Sequence, residues 1–74
     1  MQLGHLEGMA IQFANLGTVY QTRRDLTAAV EMYKRSLAID EKLGRLEGMA
    51  SDYANLGSIC RMRGDLAAAR GFWT

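Results

Sequence analysis

Proline is absent from these 74 residues, and cysteine and histidine each occur once. Without proline, no helix has to be kinked or broken from within. The lone cysteine, Cys60, excludes an internal disulfide and a cysteine-based zinc site. It falls on an apolar helical face, so a buried thiol packing as a small hydrophobe is expected. A reducing, cytoplasmic compartment fits a single thiol. Excess charge is missing too: nine Lys and Arg stand against eight Asp and Glu. That balance gives no general attraction to nucleic acid or to an anionic membrane, so neither is expected as a partner. The basic clusters Arg23-Arg24 and Arg61 to Arg63 fall at expected helix C-termini, where cations suit the helix dipole. No apolar run approaches the roughly 20 residues that span a bilayer, and no signal-peptide pattern opens the chain. There is no glycine-rich phosphate loop, no Ser–His–Asp set and no suggestive carboxylate pair. His5 has no second His or Cys nearby. No enzyme activity, catalytic residue, cofactor or metal is therefore expected.

What the chain does have is a phrase written twice, 40 residues apart. Leu3 to Ala29 reads LGHLEGMAIQFANLGTVYQTRRDLTAA, and Leu43 to Ala69 reads LGRLEGMASDYANLGSICRMRGDLAAA. Of these 27 aligned positions 16 are identical. Others keep their chemistry: Phe13 and Tyr53, Thr18 and Ser58, Val19 and Ile59. A fixed period of about 20–50 residues marks a stacked repeat. The hydrophobic share of 49% is that of a folded chain. One domain of this size buries only about 60% of its unfolded surface and is marginal alone.

Helical spacing is clear in each copy. Met9, Phe13, Leu16, Gly17 and Tyr20 share one stripe, predicting a helix over about 6–22. Asp25 reads as an N-cap. The next helix is predicted over 26–43, with Leu26, Ala29, Val30, Tyr33 and Leu37 on its apolar stripe, a Glu31–Arg35 pair outside, and Gly44 as a left-handed cap. The pattern then restarts: a helix over 46–62, a turn at Arg63-Gly64, a cap at Asp65 and a last helix from Leu66. The first unit is thus 6–43 and the second 46–74, with its last helix cut short. Gly17 and Ala29 lack bulk and let paired helices approach closely. By the same reasoning Gly57→Leu should keep a second helix pair from docking. Gly8 and Gly48 cost about 1 kcal/mol each inside a helix, a cost that close approach of a preceding helix would justify. The uncapped end carries Phe72 and Trp73. The chain is therefore expected either to be a fragment of a longer array or to oligomerise through that end.

These residues resemble the tetratricopeptide repeat. In the first unit Phe13, Leu16, Gly17, Tyr20, Ala29 and Tyr33 stand at the signature spacing. In the second, Tyr53, Leu56, Gly57, Ala69 and Trp73 do, with Cys60 replacing the usual aromatic. Ser36 stands where alanine is preferred, and Glu41 where proline is common. The 40-residue period is similar to that of the longer-helix subfamily found in kinesin light chains, Pins-type proteins and many bacterial repeat proteins. The resemblance implies an all-α fold, antiparallel helix–turn–helix units stacked as a right-handed superhelix. It also implies a scaffold that binds a protein or peptide ligand in a concave groove lined by the first helix of each unit. Ile11, Ala14, Asn15, Thr18 and Thr22, and in the second unit Ser51, Ala54, Asn55, Ser58 and Met62, would face that groove. Asn15 and Asn55 are its sharpest candidates. Asparagine is a poor mid-helix residue, and its amide can donate and accept at once. In proteins of this kind such asparagines hold a ligand's main chain; the alternative is that each bonds a neighbouring helix or its own backbone. Gln21 and Arg61 would lie at the groove's edge.

Overall fold

A computed structural model describes the backbone from Gln2 to Trp73 and the side chains from Gly4 to Gly64. It is all-α: α1 (Gln2–Thr22), α2 (Leu26–Leu43) and α3 (Leu46–Trp73). The middle helix is the hub, packing on α1 along one side and on α3 along the other.

The two turns are built alike. At the end of α1, the Arg24 N–H donates to Gln21 O at 3.0 Å and the Asp25 N–H to Tyr20 O at 2.9 Å. At the end of α2, Gly44 donates to Glu41 O at 3.2 Å and Arg45 to Asp40 O at 2.9 Å. Both are Schellman closures, which need one left-handed residue. Gly44 supplies it at φ 68°, and so does Arg24 at φ 67°, where no glycine relieves the Cβ crowding. Asp25 caps α2 as its spacing predicts, accepting from the Ala28 N–H at 3.3 Å. The Glu31–Arg35 pair forms at 3.3 Å and is exposed.

The core is small. Ala29, Tyr33 and Ile59 are its buried centre, with Tyr20, Leu26, Val30 and Leu56 packed around them. Gly17 explains how α1 comes so close: a Cβ there would lie 2.8 Å from the ring of Tyr33. Gly48 does the same for α3 against α2, where an added Cβ would meet the Asp40 carboxylate at 2.5 Å.

Several expectations are corrected. α1 begins at Gln2, not near Leu6, and so includes His5. The turn at Arg63-Gly64 and the cap at Asp65 do not form; α3 runs straight through. Continuation keeps the i→i−4 bonds across that point at the cost of one helical glycine. The consequences run along the face of α3 that a returning helix would cover. Tyr53 is 54% exposed and Cys60 is exposed rather than buried. Gly57 has nothing near it, so Gly57→Leu has no docking to disrupt here. Leu16, expected in the core stripe, is also exposed. The side chains of Phe72 and Trp73 lie outside the described residues.

The two echoed glycines should therefore respond in opposite directions. Gly57→Ala is expected to stabilise the chain by roughly 0.5–1 kcal/mol, through helix propensity alone. Gly17→Val is expected to destabilise it by about 1–3 kcal/mol, because the buried Tyr33 ring has nowhere to go. Urea midpoints of the two variants check this; a shift of the same sign in both would refute the close approach at Gly17.

Candidate functional site

α1 and α3 stand as two walls, with α2 as the floor between them. Two hollows open along this trough. The first, about 170 Å³, is lined by Ala10, Ile11, Ala14 and Asn15 from α1, Ser36 and Asp40 from α2, Arg45, and Gly48, Ser51 and Asp52 from α3. The second, about 460 Å³, is lined by Thr18, Gln21, Thr22, Arg24 and Met62.

The predicted groove residues divide accordingly. Ile11, Asn15 and Ser51 border the first hollow; Thr18, Gln21, Thr22 and Met62 border the second. Asn55, Ser58 and Arg61 line neither hollow; Asn55 and Ser58 are half-buried and Arg61 is exposed.

Some of these side chains are committed to the fold itself. The Thr18 hydroxyl reaches Ala14 O at 3.2 Å and Tyr33 Oη at 2.9 Å, and the Thr22 hydroxyl donates to Thr18 O at 2.9 Å. The Tyr33 hydroxyl is 3.1 Å from Gln21 Oε1, and Gln21 Nε2 donates to Met62 Sδ at 3.6 Å, linking α1 to α3. Neither Asn15 nor Asn55 has a side-chain hydrogen bond among the described residues.

The first hollow also holds groups that helical spacing alone did not single out. Ser36, Asp40 and Asp52 are all buried. The Ser36 hydroxyl donates to Asp52 Oδ1 at 2.9 Å. Arg45 Nη1 donates to Asp40 Oδ1 at 2.8 Å, and its Nε lies 3.7 Å from Glu7 Oε1. Burial, joined by the adjacent Asp40 carboxyl, pushes the Asp52 carboxyl up to about 6; the Ser36 hydrogen bond and the nearby Arg45 charge only partly oppose it. A signal for Asp52 existed in the sequence. Residues 52, 56 and 59 have i, i+4, i+7 spacing, which puts an acid on the stripe of Leu56 and Ile59.

Among the described residues, no group of three or more His, Cys, Asp or Glu side chains could hold a metal ion. No helix there is long and apolar enough to cross a membrane.

With this architecture in place, the comparison with known families is decisive. The family model for the tetratricopeptide repeat matches residues 9–72. The chain belongs to the tetratricopeptide repeat family. No curated protein and no solved structure matches it. Tetratricopeptide repeats generally mediate protein–protein interaction, a role that needs no catalytic group. α1 and α2 form one helix–turn–helix hairpin, and the trough lies between α1 and α3.

Proposed function

We propose that this tetratricopeptide repeat segment is a protein-interaction scaffold that takes an extended peptide or a partner helix along the trough between α1 and α3. Its period favours placement in the longer-helix subfamily. The observation that carries the reading is Asn15: its amide is exposed at the mouth of the first hollow and has no hydrogen bond among the described residues. Asn55, its repeat equivalent, is half-buried and also has no side-chain hydrogen bond among the described residues, so its amide can donate and accept. Ile11, Ser51, Ser58 and the two threonines keep the trough shallow enough for a backbone to approach. Gln21, Met62 and Arg61 extend it toward the turn end. The mechanism is hydrogen bonding to ligand main chain plus shape fit, with no covalent step. The exposed Cys60 thiol suits a reducing, cytoplasmic setting.

The test uses a peptide selected from a random library against the chain. Asn15→Ala combined with Asn55→Ala should weaken that peptide about tenfold or more, since each lost hydrogen bond is worth about 1 kcal/mol. The helical melting curve should stay where it was. Unchanged affinity would remove both asparagines from the site.

A further inference from the structure

We propose that the first hollow is a pocket for a basic side chain of the bound peptide, with Asp52 Oδ2 accepting from its ammonium or guanidinium group. The proposal rests on the trough reading and specifies what the trough selects.

Three observations meet at this point. Asp52 is 1% exposed, yet its Oδ2 has no hydrogen-bond partner among the described residues. Its Oδ1 is already held by Ser36, so the carboxylate cannot swing away without losing that bond. A buried carboxylate with half of its acceptors idle is costly, and folded chains normally satisfy such atoms.

Local charge is also unbalanced. Two buried acids, Asp40 and Asp52, border the hollow against one cation, Arg45. Its guanidinium is engaged by Asp40 and by Glu7. Among the described residues no cation hydrogen-bonds Asp52 Oδ2, and the Arg45 charge acts on Asp52 only while held by the other two acids. An incoming ammonium or guanidinium would supply both the missing donor and the missing charge, and such charge-assisted bonds are the stronger kind.

The shape suits the same ligand. Ala10, Ile11 and Ala14 give the hollow an apolar wall for a methylene stem, and Gly48 leaves its far side without a side chain. Exposed Ile11, Asn15 and Ser51 stand at the border. A peptide main chain held by Asn15 would pass directly over this opening. At the equivalent place in the first repeat stands Gln12, a neutral amide, so the charged version is particular to the α2–α3 junction.

The probes are n-butylammonium and n-butylguanidinium chloride, titrated into 15N-labelled protein at pH 7.5. Controls are 1-butanol and sodium chloride at matched ionic strength. At least one cation should give saturable amide shifts centred on Ala10, Asn15, Gly48 and Asp52, and the two arms distinguish lysine-like from arginine-like ligands. In Asp52→Asn, which keeps the shape and the Ser36 bond, the affinity should fall tenfold or more while the remaining spectrum stays in place. Shifts that do not saturate, that sodium chloride or butanol reproduces, or that persist in Asp52→Asn would overturn the pocket. The two readings fail separately. A library peptide that depends on Asn15 and Asn55 but carries no Lys or Arg, and binds Asp52→Asn as tightly as wild type, would sink the pocket and leave the trough standing.

Discussion

Ile59→Ala is expected to destabilise the chain by about 2–5 kcal/mol, while Val19→Ala should change it by no more than about 0.5 kcal/mol. The two residues occupy the same place in the repeat and differ by one methyl group. Their surroundings are opposite. Ile59 is 0% exposed, closed in with Ala29 and Tyr33, whereas Val19 is 49% exposed. The difference comes from α2, which covers this face of α3; no described helix covers the matching face of α1. Removing Ile59's outer atoms leaves a cavity in a core of very few members. Removing Val19's costs little burial and gains helix propensity. In a chain this short, the first change is a large part of the total stability. Urea midpoints decide it: comparable shifts in the two variants would mean that α2 does not discriminate between the echoed faces.

The second large effect is a pH-dependent gain from Asp52→Asn. The Asp52 carboxyl is held at about 6 in the fold against an ordinary 3.8. Between those values the folded chain keeps a proton that the unfolded chain has released. Stability from this group is therefore full in acid and declines as pH rises from about 4 to 6. The loss is on the order of 3 kcal/mol once both steps are passed. The asparagine amide imitates the protonated acid: its oxygen still accepts from Ser36, and its nitrogen can donate toward Asp40. Wild type and variant should melt together near pH 4, and the variant should melt higher at pH 7. Taking the difference between them removes whatever the other carboxylates contribute. A gap between the two proteins that stays constant from pH 4 to 7 would show that Asp52 titrates as it does in the open chain. A wild type made less stable by one acid is also the pattern expected when a side chain is kept for binding rather than for folding.

Much of the fold could be read locally. The bounds of α2, the Asp25 cap and the left-handed Gly44 follow from residues within a few positions of one another. So does the α1 stripe that became a trough wall. The site was only half legible. Asn15, Ile11 and Ser51 were visible because they recur on one helical face. Asp52 and Ser36 were not, because an acid and a serine on buried stripes read as exceptions until the helix facing them is known. Arg24 was also missed as a left-handed residue. Nothing in its side chain announces that geometry; the Schellman closure demands it wherever α1 must stop for Asp25 to begin the next helix.

Sequence by itself determined that this chain is helical, that it is written in 40-residue units, and which residues share a face. It could do so because helix periodicity, capping and close-approach glycines are local chemistry. Tertiary structure alone decided which copy of each face is covered. Val19 and Ile59, Leu16 and Leu56, Gly17 and Gly57, Gln12 and Asp52 are equivalent in the repeat yet unlike in their surroundings, because burial is conferred by a neighbouring helix and α2 lies against only one member of each pair. The same dependence on a neighbour leaves the outer face of α3 open: α3 runs on past Gly64, and Tyr53 and Cys60 stay exposed.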